Sequence, residues 1–310
     1  MGSDVQGDDT VAGRYCLNTY SYTQTMGAAD CLRHLARKGA RDIELMTFPG
    51  HVWIDDDQRS LRNIRSIIDG EGLRLSSINT VNVDLNIAGA AAEMRAYSLG
   101  LVEVFLRIAG VLGAQGFILG PGKANPLLPL PTDRLQDYFF QALDRLLPVA
   151  REHGVGLWVE NMPFAFLPTL DGVLNAVDTY GSSEVGICYD VANAHFVGED
   201  PAAGIRRLGQ RLDLLHLSDT TRQAYRHAAI GTGDVDFAGV WRAAREVGLR
   251  RVPVLEIIST EGDRDLFEAP LALRERGFAS EGRPTLALSG DPQSAIPLVQ
   301  PSSSNSSTSR

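Results

Sequence analysis

The chain has 310 residues, 44% of them hydrophobic and 22% charged, with a formal net charge of −9. That length sets an expectation of one large domain or two small ones, and the composition is ordinary for a folded globular protein. The acidic balance disfavours nonspecific contact with nucleic acid or an anionic membrane, and no apolar run approaches the roughly 18 residues a membrane span needs.

Residues 1–12 are polar and rich in Gly and Asp, and are expected to be disordered. They lack a basic stretch followed by an apolar one, so no signal peptide is expected. A first strand is expected over Arg14 to Tyr20, then a helix over Ala28 to Lys38 that stops at Gly39. A second strand, Asp42 to Thr47, precedes a helix over Arg59 to Gly70, and a third, Arg74 to Asn79, precedes a helix near Ala92 to Leu112. The fourth strand, Gly116 to Leu119, breaks at Gly120-Pro121-Gly122. In the helix that follows, Leu135, Tyr138, Phe139, Ala142, Leu143, Leu146 and Leu147 recur at helical spacing. Thr132 is its expected N-cap, Pro148 a kink in its last turns and Gly154 its stop.

Four more strand-like segments follow: Leu157-Trp158-Val159-Glu160, Ile187-Cys188-Tyr189-Asp190, Leu214-Leu215-His216 and Val254-Leu255-Glu256. Helices are expected near Leu170 to Tyr180, Pro201 to Leu212, Phe237 to Val247 and Leu266 to Arg276. Beyond residue 278 the chain turns low in complexity and ends Ser302-Ser303-Ser304-Asn305-Ser306-Ser307-Thr308, a tail expected to be disordered. Residues 13–278 thus carry eight βα units, which fit an α/β fold, a (β/α)8 TIM barrel. No GxGxxG follows the first strand, which removes the main sign of a dinucleotide-binding sheet. The cysteines, Cys16, Cys31 and Cys188, form no CxxC pair and suit reduced thiols in the cytoplasm.

Each of the four late strand segments ends on a residue that can bind a metal. In a barrel, Glu160, Asp190, His216 and Glu256 would converge on one mouth. Three carboxylates and an imidazole suit manganese first, with magnesium, cobalt or zinc as alternatives, and a cation offsets their mutual repulsion. Singly, each has a plainer reading: a satisfied core histidine, a turn cap at Asp190, an ion-paired Glu160, a half-exposed Glu256. Their equivalent positions on four successive strands favour the common metal.

The ordered stretches Val159-Glu160-Asn161, Cys188-Tyr189-Asp190-Val191-Ala192-Asn193-Ala194-His195, Leu215-His216-Leu217-Ser218-Asp219, Ile230-Gly231-Thr232-Gly233-Asp234 and Leu255-Glu256-Ile257 resemble the sugar phosphate isomerase/epimerase superfamily with its xylose isomerase-like barrel. The resemblance implies Glu160, Asp190, His216 and Glu256 as ligands of one divalent metal. It also implies Glu160 and Glu256 as the acid/base pair acting through a metal-stabilised enediolate. The implied activity is isomerisation or epimerisation of a ketose or related keto-sugar, including polyol-derived ketones. The alternative is a lyase on the same fold, an inosose-type dehydratase or a 3-keto-glycoside deglycosidase. A non-catalytic sugar-binding barrel and an AP endonuclease rank lower. Family members are often dimers or tetramers, so a homo-oligomer is an option.

Further candidates for substrate contact are Arg222 and His227 after the seventh strand, Asn193 after the sixth and Glu44 on the second. Lys123 could meet an anionic group, whereas His51 and Trp53 read as ordinary loop packing. Two departures from the family stand out. Asn193 occupies the place where many relatives carry a histidine, and Asn79 and Pro121 stand where a three-metal nuclease site would need more histidines.

Overall fold

The computed structural model describes residues 13–82 and 84–278. The two terminal segments expected to be disordered lie outside the described residues. Eight parallel strands close into a barrel in chain order: β1 (Cys16–Asn18), β2 (Asp42–Thr47), β3 (Arg74–Thr80), β4 (Gly116–Leu119), β5 (Gly156–Glu160), β6 (Val185–Asp190), β7 (Leu212–Leu217) and β8 (Val254–Leu255). β8 pairs back onto β1, so no strand is left as an edge. The helices are α1 (Ala28–Arg37), α2 (Gln58–Gly70), α3 (Ala92–Leu112), α4 (Thr132–Glu152), α5 (Leu170–Tyr180), α6 (Val191–Phe196), α7 (Pro201–Leu208), α8 (Phe237–Val247) and α9 (Gly262–Glu275). No helix among the described residues is long and apolar enough to cross a membrane.

Most expected elements are found, with differences at their ends. Thr132 is the first residue of α4 rather than its cap; Pro131 holds the cap position and has no side-chain acceptor to offer. Pro148 lies inside the last turns of α4, as expected, and the helix runs on to Glu152. α7 stops at Leu208, where Gly209 opens a 3-10 turn, and Leu212 already belongs to β7. The sequence reading missed α6, a six-residue helix that begins directly after β6.

Two layers fill the barrel interior. The floor consists of Cys16, Ile118, Trp158, Cys188, Leu214 and Val254, all buried and packed together. Alternate residues of a strand share a face, so the residues two further along each strand form the next layer. Those are Asn18, Glu160, Asp190, His216 and Glu256, each at most 5% exposed, with Gly120 at the corresponding place after β4. The phase is not automatic at β7. The β6–β7 register shifts between Ile187 and Cys188, and this irregularity sets Asp190 opposite His216. Arg251 lies over the Trp158 ring at 4.6 Å and donates to Asp213, beneath the floor. The polar layer is therefore carried at the ends of strands above an apolar plug.

Candidate metal and substrate site

The four polar strand ends meet. One ligand atom from each of Glu160, Asp190, His216 and Glu256 lies within 4.8 Å of all the others. His216 Nδ1 is 3.1 Å from Glu256 Oε2, 3.4 Å from Glu160 Oε1 and 4.0 Å from Asp190 Oδ2. Asp190 Oδ1 caps α6 by accepting from Asn193 N–H at 2.6 Å, so one of its oxygens is committed to the backbone. Its other oxygen, Oδ2, is buried with no hydrogen-bond partner. An unpartnered buried carboxylate oxygen is costly. A cation among the four residues removes that cost, so the donor set fits a divalent metal with oxygen and imidazole ligands.

Neighbouring side chains hold this set in place. Asn161 donates to Asp190 O at 3.0 Å and accepts from Asp190 N–H at 2.8 Å, tying the end of β5 to the end of β6. Asn79 donates to Glu256 Oε1 at 3.1 Å. Glu44, fully buried, faces His216 Nε2 through Oε2 at 3.2 Å. Its carboxylate also accepts from Asn18 Nδ2 at 2.7 Å and Ser77 Oγ at 2.5 Å. An acceptor at Nε2 keeps the proton there and leaves Nδ1 facing the acids as the ligand atom.

Proton equilibria in the cluster are strongly displaced. Burial, reinforced by the charge of Glu256, raises the Glu160 carboxyl to about 8. Burial raises Asp190 to about 6. Burial also acts on Glu256, but the positive charges of His216 and His227 outweigh it and hold that carboxyl well below the usual carboxylate range. Burial disfavours a charged His227, yet Asp190 and Glu256 outweigh it and raise the imidazole to about 9. In the absence of an ion, protons on these groups compensate the negative charge.

The mouth opens into a cavity of about 250 Å³. Glu160, Glu256, Asn193, His227 and Lys123 all line it. Asn193 donates to Asn161 O at 2.9 Å, while its Oδ1 is buried without a partner. His227 Nδ1 lies 3.3 Å from Glu256 Oε2 and 3.7 Å from Asp190 Oδ2. Its Nε2 lies 3.0 Å from the Tyr225 hydroxyl. The loop carrying His227 is pinned by a two-way backbone bridge between Asp219 and Ala228. The Asp219 carboxylate accepts from Thr220, Gly231 and Val235 N–H.

Two candidates are placed differently from the sequence expectation. Arg222 is exposed, donates to Glu199 O at 3.3 Å and does not line the cavity. Its loop turns the side chain outward toward the α6–α7 connection. Glu44 does not line the cavity either; it sits behind His216. His51 bonds to Met26 O and Thr19, and Trp53 packs on Phe105, so both are packing residues. The sequence reading missed Tyr20, Met162, Phe164 and Tyr225, which line the cavity. Their one sequence signal is aromatic or sulfur side chains just past strand ends or beside His227.

The chain matches the family described as xylose isomerase-like TIM barrel over residues 32–276, and it belongs to that family. It is 24% identical over 198 residues to an uncharacterized protein of Methanocaldococcus jannaschii, covering 62% of this chain and 66% of that one. The chain thus spans just under two thirds of that relative's length. Among solved structures, it resembles a D-tagatose 3-epimerase-like protein, with a TM-score of 0.74 at 19% identity over 85% of this chain and 96% of that one. It also resembles 3-keto-D-glucoside 4-epimerase from E. coli, with a TM-score of 0.70 at 17% identity over 84% and 99% of the two chains. A third likeness is to an L-ribulose 3-epimerase, with a TM-score of 0.69 at 20% identity over 86% and 92%. At these identities the likeness establishes the fold.

Proposed function

We propose that the protein is a divalent-metal-dependent isomerase or epimerase of a ketose or related keto-sugar. The observation that carries this reading is the convergence of Glu160, Asp190, His216 and Glu256, with Asp190 Oδ2 buried and without a hydrogen-bond partner. The named epimerases among its structural relatives support the substrate class. Manganese is the proposed ion; when bound, it supplies Lewis-acid polarisation of a substrate carbonyl.

The protein's own groups supply the proton chemistry. Glu160 on β5 and Glu256 after β8 flank the ligand set, and their environments push their proton affinities apart. Such a split assigns acid and base to two like groups. Glu256 accepts a proton from the carbon beside the carbonyl, and Glu160, protonated in the substrate complex, returns one on the other face. The result is inversion of that carbon. Asn193 and His227, both facing the cavity, are the proposed hydrogen-bond partners of the substrate hydroxyls.

The test is incubation of the Mn²⁺-loaded protein with a panel of ketoses in D₂O, read by NMR. Deuterium at C3 with no loss of water or of a substituent supports the epimerase. Release of a leaving group replaces it with the lyase. Exchange that persists in both Glu160→Gln and Glu256→Gln removes these residues from the proton path.

A further inference from the structure

The cavity that reaches the acid cluster has a second side with different chemistry. The candidate metal ligands come from β5, β6, β7 and the residue directly after β8. Across the mouth, the segment after β3, one turn of α3 and the last residue of β4 supply Val81, Leu85, Ile87, Val102 and Leu119. All five are apolar and at most 9% exposed. This wall is built, not collapsed. Asn82 Oδ1 accepts from Gly120 N–H at 3.1 Å, and Asn86 Oδ1 accepts from Lys123 N–H at 2.8 Å. Asn86 Nδ2 donates back to Lys123 O at 3.0 Å. Gly122 has φ +101°, and a Cβ there would press into Ala88, so the β4 segment fits against the β3 segment only with glycine.

The cation on this side does not create an anion site. Lys123 Nζ donates to Asn82 O at 3.1 Å. Burial lowers its proton affinity, and the charge of Asp84 acts on it in the opposite direction. A phosphate calls for several convergent donors, whereas this ammonium already donates to a backbone carbonyl and feels the opposing charge of Asp84. A hydroxyl-rich end pressed against the same wall would lose water without gaining partners.

Resting on the epimerase/isomerase reading for its reacting end, the geometry points to a substrate whose remote end carries a neutral, apolar substituent. The substrate class is therefore a keto-sugar bearing an alkyl or aryl group, with neither a phosphorylated nor a fully hydroxylated remote end. The Val81–Leu85–Ile87–Val102–Leu119 wall is its subsite, and transfer of apolar surface from water is its driving force.

The test is equilibrium binding to the Mn²⁺-loaded, full-length protein by calorimetry. The probes are methyl, n-hexyl and phenyl β-D-glucopyranoside and glucose 6-phosphate, which lack the reactive ketone and need no turnover. The hexyl and phenyl probes are expected to bind at least about tenfold more tightly than the methyl probe, a modest return on burying several carbons. Leu119→Asn is expected to erase that ratio. Should Leu119→Asn not fold, the near-isosteric Val102→Thr is expected to reduce it. Equal affinity for methyl and phenyl probes, or tightest binding of glucose 6-phosphate, overturns the inference. The apolar preference without ketose exchange in D₂O defeats the epimerase reading alone; exchange without the preference defeats this inference alone.

Discussion

Glu44 offers the sharpest single perturbation. Its Oε2 faces His216 Nε2 at 3.2 Å while Asn18 and Ser77 donate to the same carboxylate, and neither Glu44 nor His216 is exposed at all. Glu44→Gln keeps the size and an acceptor for Asn18 or Ser77. It removes the charge and can turn an amide N–H toward Nε2. His216 must then accept at Nε2 and carry its proton on Nδ1, the atom 3.1 Å from Glu256 that would hold the ion. Loss of such an outer carboxylate typically costs about 10- to 100-fold in metal affinity, or about 1.4–2.8 kcal/mol. The assay is competition of chelated protein with a fluorescent chelator for Mn²⁺, with circular dichroism to confirm folding. Nitrogen-detected NMR of the His216 ring in the metal-free protein is expected to show the tautomer change. Glu44→Gln binding Mn²⁺ within twofold of the parent, with an unchanged tautomer, would refute the argument. An effect confined to KM for the ketose would restore Glu44 to the substrate.

The displaced proton equilibria give two further predictions. Apparent Mn²⁺ affinity should rise with pH from about 6 to about 8 and then level off, because the ion must displace the protons held by Asp190 and Glu160; titrations in buffers of differing ionisation enthalpy, showing no proton release at pH 6.5, would contradict this. Glu160, Asp190 and His227 all keep protons in the fold at pH values where the unfolded chain has released them. The metal-free protein should therefore lose thermal stability as pH rises from about 5 to about 9, and Mn²⁺ should raise Tm most at the alkaline end; a metal-free Tm that climbs over that range would reverse the sign.

The barrel and its layer of candidate metal ligands were legible because strand chemistry has a period of two. Trp158 and Glu160, Cys188 and Asp190, Leu214 and His216, and Val254 and Glu256 are floor-and-ligand pairs written two residues apart. The β6–β7 irregularity that aligns two of these pairs left no such mark. Glu44 also stands at a strand position that points inward, but inward does not distinguish a group facing substrate from one behind a ligand. Arg222 was misread because a loop has no periodicity to fix side-chain direction, and its backbone sends the guanidinium to Glu199. The apolar wall was missed for the same reason. Leu85 and Ile87 lie in an irregular segment whose shape is set by Asn82 and Asn86 bonding across to Gly120 and Lys123. Helix α6 is only six residues long and starts on the Asp190 cap, so a turn reading of Asp190 was natural; one carboxylate oxygen makes the cap and the other is left facing the acid cluster.

The central claim is that four strand ends form one metal site. Its most direct test is a Mn²⁺ titration of the chelated protein, followed by electron paramagnetic resonance, alongside Asp190→Asn, in which the amide oxygen can still cap α6 but the ligand charge is gone. The account predicts one tightly bound ion per chain in the parent, with affinity falling at least about tenfold in the variant while the fold persists. No stoichiometric binding in the parent, or identical binding in Asp190→Asn, would contradict it.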